Sequence, residues 1–377
     1  MLVETRRGRV RGVTESGLAV FRGLPFARPP VGARRFQPPE PPAPWSGVRD
    51  AARFGTSAAQ NGALVGPLMS LGIGRTGEDC LYLNVWTPRP DRARRPVLVW
   101  IHGGAFILGS GSQLLYDGSR LARRGDVVVV TVNYRLGALG FLGVQDRFGR
   151  RLPATGNEGL LDQIAALEWV RDEIAAFGGD PDNVTLFGES AGAMSCATLL
   201  GMPRARGLFH RAILQSGAAN YVWPRDTAAR LADQVLAEIG VGSPEELYAA
   251  TPERLLAAQR RLFMDLMLGD QHVLGALSPA GQRVAGALFL SLSLARRRFG
   301  RVTEPLSRGL SGMLRRRGRR SAAPAPAMAA LRALRTRGLP FQPVIDGDVV
   351  PRDPLAAIRD GAARDVPLLI GTNRDEA

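Results

Sequence analysis

Short apolar runs rich in β-branched residues recur along the chain. They predict β-strands at residues 81–86, 97–101, 127–132, 184–187, 212–215 and 366–370. Nearly continuous apolar character is typical of central strands that are covered on both faces. The first 60 residues instead combine short alternating stretches with many prolines and glycines, which predicts an antiparallel hairpin region followed by loop.

Helical patterns alternate with these strands. The clearest is one apolar stripe with spacings of three and four residues, formed by Leu160, Ile164, Leu167, Val170, Ile174 and Phe177. The glycines at 178 and 179 end this helix. Because strands alternate with helices, the pattern predicts an α/β fold with a mostly parallel central sheet and helices on both faces.

The strand signal fades between residues 225 and 338, which indicates a helical, lid-like insertion within a single domain that spans 1–377. Ser243 and Glu246 form a capping-box pattern at a helix start, and Thr251 precedes a second start. An apolar stretch over 284–294 lies beside an arginine-rich segment at 296–337. The low-complexity stretch at 321–327 lies within that segment.

Charge is concentrated in this insertion. The formal net charge is +15, and residues 296–337 hold 13 arginines and one glutamate, so this segment accounts for +12 and the remainder of the chain for +3. The nearly balanced remainder argues against a nucleic-acid partner for the chain as a whole. For the insertion alternatives stay open: it contacts an anionic membrane, as an interfacial helix, or a nucleic acid, or it is a solvated lid helix with a flexible loop.

Composition leads to expectations about where the protein is located and whether it binds a metal or a cofactor. No apolar run reaches the ~20 residues that span a bilayer, and the N-terminus lacks the apolar core of a signal peptide. We therefore expect a cytoplasmic protein. Its two cysteines, Cys80 and Cys196, could form one disulfide, but in a reducing compartment we expect two buried free thiols. Neither has a neighbour at metal-ligand spacing, so we expect no metal site. We also expect no cofactor.

Residues 188–192 read GESAG, a G-x-S-x-G motif between a predicted strand and a predicted helix. This context is typical of a nucleophile elbow, in which a sharp turn exposes the serine at the carboxyl end of the sheet. Ser190 is therefore the candidate nucleophile. Residues 102–105 read HGGA directly after another predicted strand, and backbone N–H groups in such a turn can stabilise a developing oxyanion together with the N–H of Ala191.

These motifs and several longer phrases make the sequence resemble the type-B carboxylesterases, the family that also contains cholinesterases and neuroligins. The resemblance covers nearly the whole chain outside roughly 260–335. Its phrases are FRGLPFARPPVG at 21–32, EDCLYLNVW at 78–86, NYRLG at 133–137, GNEGLLDQ at 156–163 and FGGDP at 177–181. It implies an α/β-hydrolase fold and carboxylic ester hydrolysis through a serine acyl-enzyme.

The resemblance also implies roles for individual residues. The catalytic residues are Ser190 and Glu376, the latter within GTNRDE at 371–376. The oxyanion donors are Gly104, Ala105 and Ala191, with Gly103 shaping the turn and Glu189 as a supporting carboxylate. For Arg135 and Asp162 the resemblance leaves two arrangements open, a buried ion pair that supports the site or a solvent-exposed one.

The chain departs from the family at two positions. Cys80 has no partner cysteine near residues 58–60, where the family often forms a disulfide. No tryptophan lies between residues 60 and 78, which argues against the quaternary ammonium site of cholinesterases and favours a bacterial-type general esterase acting on small-molecule esters.

A catalytic histidine is expected after the acid of the triad, but none follows Glu376. His102 belongs to the oxyanion turn, His210 is expected to be a structural hydrogen-bonding residue, and His272 lies in the variable helical region. The sequence thus predicts a truncated esterase that is inactive as it stands. A non-catalytic binding protein, like the neuroligins, is the alternative from another class.

Overall fold

The computed structural model describes residues 1–61, 72–268 and 339–374. The strands within these ranges are β1 (Leu2–Thr5), β2 (Gly8–Arg11), β3 (Val13–Glu15), β4 (Leu18–Pro25), β5 (Val48–Asp50), β6 (Ser57–Ala58), β7 (Thr76–Gly77), β8 (Tyr82–Thr87), β9 (Arg95–Ile101), β10 (Val128–Val132), β11 (Gly179–Glu189), β12 (Arg211–Gln215), β13 (Trp223–Pro224), β14 (Val344–Ile345) and β15 (Leu368–Gly371). The α-helices are α1 (Ser119–Gly125), α2 (Gly137–Phe141), α3 (Gln145–Phe148), α4 (Glu158–Glu173), α5 (Ala191–Leu200), α6 (Arg225–Glu238), α7 (Pro244–Ala249), α8 (Pro252–Leu268) and α9 (Pro354–Arg359).

Eight of these strands form the central sheet, in the order β15-β12-β11-β9-β10-β8-β4-β3. The five strands from β15 to β10 pair in parallel, whereas β10, β8, β4 and β3 pair antiparallel. The prediction of a mostly parallel sheet flanked by helices is confirmed. All six predicted strands are present, and their bounds differ from the predicted ones by at most five residues.

The predicted apolar stripe lies on α4, which continues as a 3-10 turn over Ile174–Phe177. Gly178 then adopts a φ of 84°, a left-handed conformation that ends the helix. Burial extends further around α4 than one stripe, because the polar residues Glu158, Asp162 and Gln163 are buried as well. Of these polar residues, Asp162 forms the buried ion pair with Arg135 that is described below.

Antiparallel pairing of β1 with β2 and of β3 with β4 confirms the hairpin prediction for the N-terminal region. The capping box of α7 is also present, since the Ser243 hydroxyl accepts from the Glu246 N–H and the Glu246 carboxylate accepts from the Ser243 N–H. Local sequence alone determines these features.

The chain divides into two compact units, one comprising 1–60, 71–258 and 341–377 and the other 61–70 and 259–340. The lid-like insertion over 225–338 stays a prediction, as does the cytoplasmic location. The apolar stretch at 284–294 and the arginine-rich segment at 296–337 lie outside the described residues. Within the described ranges, none of the helices has the length and apolar character needed to cross a bilayer.

Candidate active site

The predicted nucleophile elbow lies where β11 meets α5. Ser190 lies between them with φ 54° and ψ −124°, a backbone conformation that residues other than glycine rarely adopt. Its N–H donates to the Gln215 carbonyl at 2.9 Å, and its carbonyl accepts from the Met194 N–H at 2.9 Å. These bonds tie the strained residue to β12 and to the first turn of α5, so Ser190 is held at the carboxyl end of the sheet.

The second element is the turn after β9, at residues 102–106. Gly104, Ala105 and Phe106 have positive φ angles of 115°, 55° and 60°. The Gly104 carbonyl accepts from the Ile107 and Leu108 N–H groups, both at 3.0 Å. Within the described part of the chain, the N–H groups of Gly104 and Ala105 have no acceptor. Two backbone donors are therefore available in this turn.

Sheet register brings the turn and the elbow together. Ile101, the last residue of β9, pairs in parallel with Gly188 of β11. The residues that follow each strand therefore lie side by side. Ala191 is the first residue of α5, so its N–H precedes the helical bonding pattern and is a third donor.

His102 is fully buried and stabilises the turn that begins with it. Its Nδ1 lies 2.9 Å from the Gly103 carbonyl oxygen, which assigns the proton to Nδ1. The ring stacks on Tyr134 with 4.5 Å between centroids, and the Tyr134 hydroxyl donates to the His102 carbonyl at 2.9 Å. Burial lowers the pKa of His102 to about 4, so the imidazole is neutral at pH 7.

His210 is bonded to the backbone of a neighbouring strand. His210 Nδ1 accepts from the Val184 N–H at 3.1 Å, and the His210 N–H donates to the Val184 carbonyl at 2.8 Å. The structural role predicted for His210 is confirmed. His272 and the predicted acid Glu376 lie outside the described residues.

Glu189 is exposed and precedes Ser190. Burial, and then the negative charge of Glu189, raise the pKa of Tyr116 to about 12, which indicates that the phenol lies within electrostatic reach of this carboxylate. The Tyr116 ring packs on Trp100 at a centroid distance of 4.9 Å. Sequence reasoning missed Tyr116, because no local pattern connects it to residue 189.

A buried ion pair lies between the loop after β10 and α4. The Arg135 Nη2 and Nε donate to the two Asp162 oxygens at 2.7 and 2.8 Å, and the Arg135 N–H donates to Oδ2 at 3.0 Å. Exposure of these side chains is 4% and 0%, so of the two predicted arrangements the buried one is confirmed. Arg135 also donates to the Gln37 carbonyl at 2.8 Å and thereby connects the N-terminal region to the core.

The two cysteines are buried free thiols, as predicted. Burial raises the pKa of both the Cys80 and Cys196 thiols well above the ordinary range, so both stay protonated.

The strained serine elbow and its donor-lined turn on a mostly parallel sheet define a protein of the α/β-hydrolase fold. The profile of the Carboxylesterase family matches residues 1–263, and the chain belongs to this family as a type-B carboxylesterase member.

Similarity to individual esterases and hydrolases supports this assignment. The para-nitrobenzyl esterase of Bacillus subtilis (strain 168) is 41% identical over the whole chain, which spans 63% of that protein. The phenmedipham hydrolase of Pseudarthrobacter oxydans is 50% identical over 57% of this chain and 42% of its own length. A crystal structure of the Geobacillus stearothermophilus carboxylesterase EST55 covers this chain completely at 40% identity and a TM-score of 0.74, and 62% of that chain is matched. The chain thus spans less than two thirds of these relatives.

Proposed function

We propose that this chain carries the nucleophile and the oxyanion hole of a carboxylic ester hydrolase that acts through a serine acyl-enzyme. The observation that carries the proposal is the juxtaposition of a strained Ser190 with three backbone donors, from Gly104, Ala105 and Ala191. A binding protein without catalysis gives no reason to maintain this strain, which costs of order 1–3 kcal/mol.

In the proposed mechanism the Ser190 Oγ attacks the carbonyl carbon of a small-molecule ester and loses its proton to a general base. The carbonyl oxygen becomes an oxyanion and accepts from the three N–H groups. Collapse of this intermediate expels the alcohol, which takes the proton, and leaves an acyl-Ser190. Water then adds to the acyl group and releases the acid. Removing one oxyanion donor typically lowers the rate about 10²–10³-fold.

Neither described histidine is placed to act as the base. The His102 imidazole is stacked and buried with a pKa of about 4, and His210 is bonded to the backbone of Val184. We infer that the base is a histidine in the part of the relatives that this chain does not match, oriented by Glu376. On this proposal the 377-residue chain hydrolyses esters poorly, because a missing triad member leaves only residual catalysis.

Fluorophosphonate labelling tests both parts of the proposal. The 377-residue chain is compared with the same chain joined to the unmatched remainder of the Bacillus subtilis relative. We expect the joined chain to be labelled at Ser190 at least about 10²-fold faster than the chain alone. We expect Ser190→Ala to abolish labelling, whereas Ser195→Ala, in the helix that follows Ser190, should not.

The two parts can fail separately. A joined, folded chain that is not labelled at Ser190 contradicts ester hydrolysis by this site. Equal labelling with and without the added part contradicts the inference that the base lies beyond the matched region, but leaves Ser190 as the nucleophile.

A further inference from the structure

The oxyanion turn is closed by Gly109, whose backbone is bound by a side chain from a distant part of the sequence. The Gly109 N–H donates to the Gln60 Oε1 at 2.9 Å, and the Gln60 Nε2 donates to the Gly109 carbonyl at 2.8 Å. The side-chain amide therefore pairs with both polar groups of one residue. Gln60 is 49 positions away in sequence and is buried, with 6% of its surface exposed.

Hydrogen bonding fixes the orientation of this amide. The second hydrogen of Gln60 Nε2 is directed to the Ala58 carbonyl at 3.0 Å. Both amide hydrogens and the amide oxygen thus have partners. The reversed orientation would place the nitrogen against the Gly109 N–H and the oxygen against two carbonyls, so it is excluded electrostatically.

Gly109 in turn lies directly against the start of the turn. Its φ is 110°, and a Cβ there would overlap the His102 Nδ1 and lie 2.5 Å from the Gly103 carbonyl oxygen. A displacement of Gly109 is therefore transmitted to the peptide group that joins Gly103 to Gly104 and carries the Gly104 N–H donor. The next two amides are anchored in a similar way, since Ser110 N–H donates to Gln113 Oε1 at 3.0 Å and Gly111 N–H to Asn133 Oδ1 at 2.8 Å.

We propose that Gln60 is a positioning residue that holds the oxyanion turn in register by pairing its amide with the backbone of Gly109. The proposal rests on the proposed function for its catalytic meaning. Gln60 acts through Gly109 and does not contact the reacting atoms. Displacements of about 1 Å at a reacting centre can lower rates about 10²-fold, so a clamp on this turn is expected to influence the reaction rate.

The test uses Gln60→Met, which keeps the length of the side chain and removes all three bonds. Gln163→Met is the matched control, because Gln163 is also buried and donates to the Ser195 hydroxyl at 3.1 Å, away from Gly109. Hydrogen exchange of the 377-residue chains is followed by mass spectrometry. We expect about tenfold faster exchange at 102–112 in Gln60→Met only. Unchanged exchange there, or an equal increase in Gln163→Met, overturns the proposal.

A second readout separates positioning from mere stability. In the joined chain described above, Gln60→Met is expected to lower the rate of Ser190 labelling about 10-fold to 10²-fold relative to Gln163→Met. Faster exchange with unchanged labelling overturns the positioning role. If the wild-type joined chain is not labelled, the proposed function fails, whereas the exchange experiment still decides whether Gln60 holds the turn.

Discussion

Gly103 packs so closely against Ser190 that a Cβ on Gly103 would lie 3.2 Å from the Ser190 Cβ. The same Cβ would lie 2.6 Å from the Glu189 carbonyl oxygen, a distance that real Cβ atoms do not adopt. The contact joins the turn after β9 to the elbow after β11, which are 87 positions apart in sequence. Neither segment can move without the other.

Gly103→Ala is therefore expected to damage the site. The added methyl group must displace the Glu189 backbone or the turn itself, and overpacking of this kind costs about 1–3 kcal/mol. We expect Ser190 labelling of the joined chain to fall at least about 10²-fold, because the oxyanion donors shift relative to the serine.

Gly125→Ala at the end of α1 is the control for Gly103→Ala. A Cβ there has its nearest neighbour, Val127, at 3.4 Å, which is an ordinary contact. Labelling by this control should equal that of the wild type. Wild-type labelling by Gly103→Ala would contradict the close contact.

Ser190→Gly is expected to stabilise the fold while it removes the proposed nucleophile. Glycine adopts φ 54° and ψ −124° without the side-chain strain, which we expect to raise the free energy of unfolding by about 1 kcal/mol. Urea denaturation measures this change. In the helix that follows, Ser195→Gly should instead lower stability by about 0.5–1 kcal/mol. A destabilised Ser190→Gly variant would show that the elbow is not strained.

Asp162→Asn is expected to lower the free energy of unfolding by about 3–5 kcal/mol, because it leaves the buried Arg135 guanidinium without its countercharge. Asp226→Asn, which removes the exposed pair with Arg230 on α6, is the control and should have no measurable effect. Urea denaturation at low and high salt measures both changes, since urea is uncharged and leaves the ionic strength to be set separately. Similar losses in both variants would contradict the structural importance of burial for the Arg135 pair.

Glu158 introduces a pH dependence of stability. Burial, opposed by the Arg135 charge and by the N–H groups of Thr155 and Gly156, raises its pKa from 4.5 to about 7. The folded chain thus binds this proton more tightly than the unfolded chain. Proton binding by Glu158 therefore contributes to the free energy of unfolding, fully below pH 4.5 and no longer once the pH has risen through 7.

Glu158→Gln removes this titration. Relative to the wild type at each pH, the free energy of unfolding of the variant should rise by up to ~3 kcal/mol between pH 4.5 and pH 8. His102 acts in the opposite direction, since its lowered pKa makes stability rise between pH 4 and 6.5, but it is present in both proteins and cancels. A pH-independent difference would show that Glu158 titrates normally.

β15 is the outer strand of the described sheet, and its exposed apolar side chains predict self-association of the 377-residue chain. Leu368, Leu369 and Ile370 of β15 are 41%, 64% and 61% exposed, and an apolar strand at a sheet edge is a template for pairing with another chain. We expect Leu369→Arg to reduce association in sedimentation velocity. Leu115→Arg, at an equally exposed leucine outside a strand, should not. Equal effects would contradict edge pairing.

Local sequence determined most of the fold and the candidate nucleophile. Ser190 was identifiable because the elbow needs small residues around the serine, between a strand and a helix. Five consecutive residues, the G-x-S-x-G motif at 188–192, meet this requirement. The stripe on α4, the capping box of α7 and the strands β8 to β12 are likewise set by periodicity and caps. Such features depend on interactions over a few residues, so their pattern appears directly in the sequence.

Tertiary structure decided which of these segments contact one another. The pairing of Ile101 with Gly188 sets the turn after β9 beside the elbow at Ser190, and it depends on the register of two strands far apart in the chain. The burial of Arg135 against Asp162 and the pairing of Gln60 with Gly109 are decided in the same way. Each is a contact between distant segments, and no local propensity encodes the packing that forms it.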